Sequence, residues 1–363
     1  MNNLEGLEQQ IRAQLSNFKP DGWESSLTEA GFLKAIDLSD DKLVVKIRLP
    51  FAGQGYLQLL MQDFGNSLRE LSGVSEIEFA ITTDVATIKR AMELPGIRNV
   101  RNIIAVSSGK GGVGKSTTAV NLALALSHEG ARVGLLDADI YGPSIPLMLG
   151  TRDQKPVSPD GKMMLPIDSF GIVSNSIGYM VPEEQAAIWR GPMASKALSQ
   201  LLYDTAWPEL DYLVIDMPPG TGDIQLTLAQ QVPTTAAVVI TTPQDIALAD
   251  ARKGIAMFRK MNIPVLGVVE NMSYYICSQC GRHDALFGSG GGESLVQECQ
   301  SQLLGELPLH RTVREDGDAG TPSVAHQKDP LLTKPYFELA RKTAAVLYFT
   351  GEVIPNEISI AQL

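Results

Sequence analysis

The chain has 363 residues, 41 acidic and 30 basic, with a formal charge of −11 and 44% hydrophobic residues; its mean hydropathy is +0.02. This composition belongs to a folded globular chain and excludes a disordered one, and the acidic balance argues against non-specific nucleic-acid binding or stable adhesion to anionic lipid. No apolar run approaches the roughly eighteen residues that span a bilayer, and the first residues carry no basic region followed by an apolar core. Three cysteines do not make a disulfide framework, so a cytoplasmic location is expected.

Residues 1–92 read as a small α/β domain. Leu43, Val45, Ile47 and Leu49 alternate with Lys46 and Arg48, the pattern of a half-buried strand. Tyr56, Leu57, Leu60, Met61, Phe64, Leu68 and Leu71 recur at helical spacing, and Ile77, Phe79 and Ile81 alternate again. This helix–strand–strand–helix–strand order resembles the small domain fused ahead of Mrp-type proteins and shared with iron–sulfur assembly factors. Members of that family commonly carry a cysteine at the start of the helix after the second strand. Here residues 50–55 read Pro-Phe-Ala-Gly-Gln-Gly and the domain holds no cysteine, which points to docking or a structural role. Pro95-Gly96 breaks both regular patterns, so 93–101 is expected to be a linker and a chain starting near Asn99 to fold alone.

Residues 102–350 alternate strand and helix, predicting an α/β fold: a mostly parallel P-loop sheet with helices on both faces, followed by a tail over 351–363. Residues 103–106 are a short apolar strand. Gly109-Lys110-Gly111-Gly112-Val113-Gly114-Lys115-Ser116 then matches G-x-x-x-x-G-K-[ST], and Ala119, Leu122, Ala123 and Leu126 follow at helical spacing. The glycines let backbone N–H groups turn around a phosphate chain, and the helix N-terminus adds partial positive charge. Lys115 is expected on the β- and γ-phosphates of ATP, Ser116 on Mg²⁺, and Thr117 completes the nucleotide-binding set. The second lysine, Lys110, resembles that of deviant P-loop ATPases of the division-site-positioning and plasmid-partition type. The resemblance implies that it crosses a dimer interface to the partner's nucleotide and takes part in catalysis.

A strand over 131–137 ends in Asp137-Ala-Asp139. The same resemblance gives an aspartate of this pair the task of orienting the attacking water; Asp139 is chosen, and Asp137 is read as supporting the Mg²⁺ site or the loop. Residues 157–163 read as a hairpin around Pro-Asp-Gly. Another strand, 212–216, ends in Asp216, a carboxylate able to hold Mg²⁺ beside the phosphates; Gly220 and Gly222 then suit a loop that reorders with the γ-phosphate. Ala236–Thr241 and 265–269 are two more strands. The second leads to Asn271, whose amide reads the adenine edge in related ATPases.

Cys277-Ser-Gln-Cys280 follows, between Tyr274-Tyr275 and Gly281 in what reads as an irregular loop. Two thiols at this spacing can grip one metal or cluster, and cluster, zinc and dithiol readings all remain. Zinc could add His283, with Cys299 or solvent as the fourth ligand. A cubane cluster held by thiolates takes four of them. Cys299 lies in a helix-like run, 293–303, and reads as a packing residue, as does His310. One chain therefore cannot supply four thiolates, whereas two chains related by a twofold axis can.

Gly-Lys-Gly-Gly-Val-Gly-Lys-Ser, Asp-Ala-Asp-Ile-Tyr-Gly-Pro-Ser, the loop Arg190-Gly-Pro-Met193, Asp-Met-Pro-Pro-Gly-Thr-Gly-Asp, Glu-Asn-Met-Ser and C-x-x-C occur in one order. Over roughly residues 95–345 this resembles the Mrp/ApbC family of iron–sulfur cluster carrier ATPases. The resemblance implies an ATP-hydrolysing homodimer that binds a [4Fe–4S] cluster between Cys277 and Cys280 of both chains. It also implies exchange of that cluster with assembly machinery and apo iron–sulfur client proteins. Competing readings are a membrane-cycling positioning ATPase, an electron-transfer ATPase like the nitrogenase iron protein, and an ATPase with structural zinc. The tail, with neither Lys nor Arg and with Pro355 in mid-run, disfavours the first. The single C-x-x-C disfavours the second.

Overall fold

The computed structural model describes residues 2–39, 41–181, 191–277 and 279–355; Arg190 and tail residues 356–363 lie outside the described residues. Two sheets organise the chain. The first is built from α1 (Asn2–Leu15), β1 (Leu33–Leu38), β2 (Lys42–Leu49), α2 (Tyr56–Ser72) and β3 (Glu76–Thr83). β2 is central, antiparallel to β1 and parallel to β3. Its apolar positions Leu43, Val45, Ile47 and Leu49 are all buried, as their alternation requires.

After β4 (Thr87–Ile88) the chain enters the second sheet through β5 (Val100–Ser108), α3 (Lys115–His128), β6 (Val133–Asp137), α4 (Ile145–Met148), β7 (Ile167–Ser169), β8 (Ile172–Ser176) and α5 (Gly191–Tyr203). It continues with β9 (Leu210–Asp216), α6 (Asp223–Gln231), β10 (Ala236–Thr241), α7 (Asp245–Lys260), β11 (Val265–Ile276), β12 (His283–Asp284), α8 (Gly291–Glu298) and β13 (Leu303–Leu309). α9 (Arg311–Asp318), α10 (Ser323–His326), α11 (Pro330–Thr350) and β14 (Val353–Ile354) close the chain. The strand order is β12-β11-β10-β5-β9-β6-β8-β7, with β13 also on β11. All these pairings are parallel except β7 on β8 and β12 on β11. Every residue of β9 is buried, as a parallel strand covered on both faces demands. β5 has β10 on one side and β9 on the other; the chain leaves it towards β6 and reaches β10 later, so the strand order reverses at its carboxyl end, where α/β sheets bind ligands.

The structure corrects three local readings. Residues 157–163 form a turn without strand pairing, in which Asp160 Oδ1 accepts from the backbone N–H groups of Lys162 and Met163. The helical run over 293–303 stops at Glu298, and Leu303 begins a strand. Tyr274 and Tyr275 belong to β11, which runs to Ile276 instead of ending near 269.

The two sheets share one hydrophobic core. Trp23, Phe32 and Phe51 meet one another edge-on and pack against Tyr348 and Phe349 of α11. β14 pairs with β4, so the described C-terminal end is tied to the segment following the first sheet. At the C-terminal end of α3, buried Glu129 joins the two parts. Its Oε2 accepts from Gly55 N at 2.6 Å and its Oε1 from Arg341 Nη1 at 2.6 Å. Its backbone carbonyl accepts from the N–H groups of Gly53 and Gln54. Burial pushes the Glu129 carboxyl up, and the Arg341 guanidinium opposes the shift. Arg341→Ala leaves that buried carboxylate without its cation and should lower stability by about 3 kcal/mol, read as a lower urea midpoint. Lys89→Ala, which breaks an exposed pair with Glu352, should leave the midpoint nearly unchanged.

Candidate functional site

The P-loop follows β5 and turns into α3 through Gly112 (φ 81°) and Gly114 (φ 80°), a left-handed geometry that side chains disfavour. Gly109 has no room for a side chain: a Cβ would lie 2.1 Å from the backbone carbonyl of Asp250. Lys115 is buried at the head of α3. Its Nζ donates to Asp216 Oδ1 at 2.6 Å and to Ser116 Oγ at 3.2 Å, and lies 3.9 Å from Asp139 Oδ2. Lys115, Ser116, Asp139 and Asp216 thus form one cluster, with Asp216 completely buried at the end of β9.

Asp216 Oδ2 is buried with no hydrogen-bond partner among the described residues. A hard cation or its water would satisfy that oxygen, and the Ser116 hydroxyl beside it completes an oxygen donor set suited to Mg²⁺. Burial pushes the Asp216 carboxyl up, with Lys115 opposing.

Asp137 and Asp139 occupy different environments. Asp137 is fully buried and its acceptors are taken: Oδ1 by Asp139 N at 3.1 Å, and Oδ2 by Ser144 N, Ile145 N and Ser176 Oγ at 3.1, 3.2 and 3.0 Å. Burial and the neighbouring Asp216 push its carboxyl up to about 7. It acts as the knot of the loop after β6. Asp139 is partly exposed and faces Lys115; burial raises its carboxyl, and Lys115 and the backbone N–H groups of Gly142 and Tyr141 oppose the rise.

Lys110 is half-buried on the outer limb of the loop, where its backbone carbonyl accepts from Ser108 Oγ at 2.8 Å. The loop after β9 runs alongside: Gly220 (φ 102°) donates its N–H to the carbonyl of Ser108 at 2.9 Å. Asn271 is turned under the P-loop, its Nδ2 donating to the carbonyl of Val113 at 2.8 Å. Gly114 makes room for that amide, since a Cβ there would lie 2.1 Å from it.

Cys277 and Cys280 are not in this cluster. They sit in the turn of a hairpin between β11 and β12, closed by Cys277 N donating to Arg282 O at 3.0 Å and by Gly281 N donating to Cys277 O at 2.8 Å. Cys277 is half-buried and Cys280 exposed. Backbone N–H groups of Gln279 and Cys280 directed at the Cys277 sulfur, with the Cys280 thiol adding to them, hold its thiol below the ordinary range. His283 stacks on Tyr274 with ring centroids 4.7 Å apart. Among the described residues no three His, Cys, Asp or Glu side chains converge as a metal site. Cys299 is buried in the core at the end of α8. His310 is a cap and not simply a packing residue: its Nδ1 accepts from Thr312 N at the head of α9.

Glu270 and Ser273 stand in the Glu-Asn-Met-Ser motif but no pattern gives either a role, and nothing in the sequence singles out Ser176. An acid inside an apolar strand was the available signal for Glu270.

P-loop, paired strand-end carboxylates and strand order together define a P-loop NTPase, and no helix among the described residues is long and apolar enough to cross a membrane. Residues 99–344 match the ParA family model described as NUBPL iron-transfer P-loop NTPase, and the chain belongs to that family: it is a P-loop ATPase. It is 55% identical to proteins named iron-sulfur cluster carrier protein from Salmonella typhimurium, over 97% of this chain and 96% of the relative, and from Escherichia coli strain K12, over 98% and 96%. A nucleotide-binding protein from Archaeoglobus fulgidus, solved in complex with ADP, is 36% identical and superposes with a TM-score of 0.58 over 66% of this chain and 92% of its own.

Lys115→Ala removes the loop's inward charge and should weaken ATP binding by about 1.5–3 kcal/mol, or roughly ten- to a hundredfold, measured by titration calorimetry. Asp137→Asn should weaken it as well, by loosening the loop after β6.

Proposed function

We propose that the protein is an iron–sulfur cluster carrier, binding a [4Fe–4S] cluster between two copies of the chain as cargo and handing it to apo-proteins under control of its ATPase. The observation that carries this reading is the two-thiol hairpin at the end of the strand that also underpins the P-loop: Asn271 lies on β11, and Cys277, six residues later, directly follows its last residue. Two such hairpins supply the four thiolates a cubane takes. The relatives named iron-sulfur cluster carrier protein support the same reading.

In this reading the backbone from Gly109 to Ser116, with Thr117, cradles the phosphates, and Lys115 exchanges Asp216 for phosphate oxygen. Ser116 and Asp216 hold Mg²⁺, which neutralises phosphate charge. Asp139 orients the attacking water, Asp137 keeps Asp139 in place, and Lys110 reaches the nucleotide of the second copy. Asn271 supports the loop from beneath, and contact with the adenine edge would use the amide atoms left over from Val113. Residues 1–92 act as a structural or docking unit packed behind α3, and the cytoplasm is the site of action. Clients and assembly machinery approach at the hairpin.

Asp139→Asn should keep MgATP affinity while slowing turnover about a hundredfold, and Lys110→Ala should spare binding but weaken hydrolysis and ATP-dependent dimerisation. Unchanged turnover in Asp139→Asn moves the water-orienting role elsewhere. Anaerobically reconstituted protein should be brown and dimeric with about four iron per dimer. Cys277→Ser and Cys280→Ser should each abolish the colour, whereas Cys299→Ser and His283→Ala should keep it. Stoichiometric zinc lost on His283→Ala would overturn the carrier reading.

A further inference from the structure

Glu270 is an acid inside β11, between β10 and β13, 1% exposed and immediately before Asn271. Its Oε1 accepts from Ser273 Oγ at 2.6 Å, and its Oε2 accepts from the backbone N–H of Gly292. Between Glu270 and Ser273 the strand bends through Met272, a non-glycine residue in the left-handed region at φ 57°, a conformation that surrounding contacts must hold. The Ser273 hydroxyl also lies 3.0 Å from Glu306 Oε1 of β13, whose residue Glu306 pairs in register with Glu270. Gly292 closes the Gly288–Gly292 segment at the head of α8, and a Cβ there would lie 2.8 Å from Glu270 Oε2. The glycine is what lets the segment reach the carboxylate.

We propose that Glu270 is the positioning residue that couples the P-loop to the cysteine hairpin. On one side of the bend, Asn271 is attached to the P-loop carbonyl of Val113. On the other, Ser273 starts the limb that stacks Tyr274 on His283 and ends at Cys277. Glu270 fixes both limbs to α8 through one buried carboxylate, so a shift of the P-loop is passed to the thiols as a rigid displacement instead of being absorbed at Met272. The inference rests on reading Cys277 and Cys280 as the cargo thiols, but its test does not require the cluster.

The full-length apo-protein is alkylated with iodoacetamide, and the rates at Cys277 and Cys280 are followed by mass spectrometry with and without a non-hydrolysable ATP analogue and Mg²⁺. In the unmodified chain the analogue should change the rate about fivefold, the low end of coupling between distinct sites. Glu270→Gln should bring that ratio close to one while analogue affinity and the circular-dichroism spectrum stay the same. Ser273→Ala, a smaller change that leaves the Gly292 contact intact, should reduce the ratio likewise and serves if Glu270→Gln does not fold. A ratio unchanged in a folded variant, or an absence of nucleotide dependence in the unmodified chain, overturns the proposal. Failure of the carrier reading shows separately, as reconstituted protein that holds no iron.

Discussion

Lys115 and Asp216 meet at 2.6 Å, both of them buried. Each has left water, and each is compensated chiefly by the other. Around them the register of three strands is fixed: Asp216 pairs with Val106 of β5 on one side and with Asp137 of β6 on the other. A slip of one residue in either pairing would turn a carboxylate to the opposite face of the sheet. Three acids, Asp137, Asp139 and Asp216, stand near one ammonium group, and burial raises all three carboxyls. A site so rich in buried negative charge is improved by a divalent cation, and the unpartnered oxygen of Asp216 is where its effect is greatest.

The sequence disclosed this cluster because its parts are written locally. A glycine-rich loop between an apolar strand and a helix has few other meanings, and β5, β6 and β9 are short apolar runs that end at the site. β8 is different. Its Ser174, Asn175 and Ser176 are all buried, which no hydrophobic pattern announces; Ser176 is there to donate to Asp137. β11 reads as a strand that stops near 269 and gives way to a loop, because Met272 bends it and the apolar period is lost at that point. Neither the under-loop position of Asn271 nor the acceptor role of Glu270 has a periodic signature, since both depend on partners distant in the chain. The dimer that thiolate counting calls for is a property of two chains, and periodicity within one does not encode it.

The relation between the two chemical regions is covalent as well as spatial. β11 touches both, supporting the P-loop at Asn271 and ending beside Cys277. Most P-loop sheets end their strands at the ligand edge; here the strand continues past it as one limb of a hairpin. The thiols are therefore held by main-chain hydrogen bonds of the sheet, which gives the turn a rigid base and keeps Cys280 outward.

The aromatic cluster that unites the first sheet with α11 has a consequence for biosynthesis. Trp23, Phe32 and Phe51 are made early, but their partners Tyr348 and Phe349 come far later in the chain, as does β14, which pairs with β4. Contacts of such sequence separation are slow to close. The nascent chain must carry an unfinished apolar surface until α11 and β14 have been made, the condition in which exposed side chains recruit chaperones or aggregate. Losing Tyr348 and Phe349 would leave Trp23, Phe32 and Phe51 without their last wall, while the earlier turns of α11 would still cover the ATPase at α3 and β13.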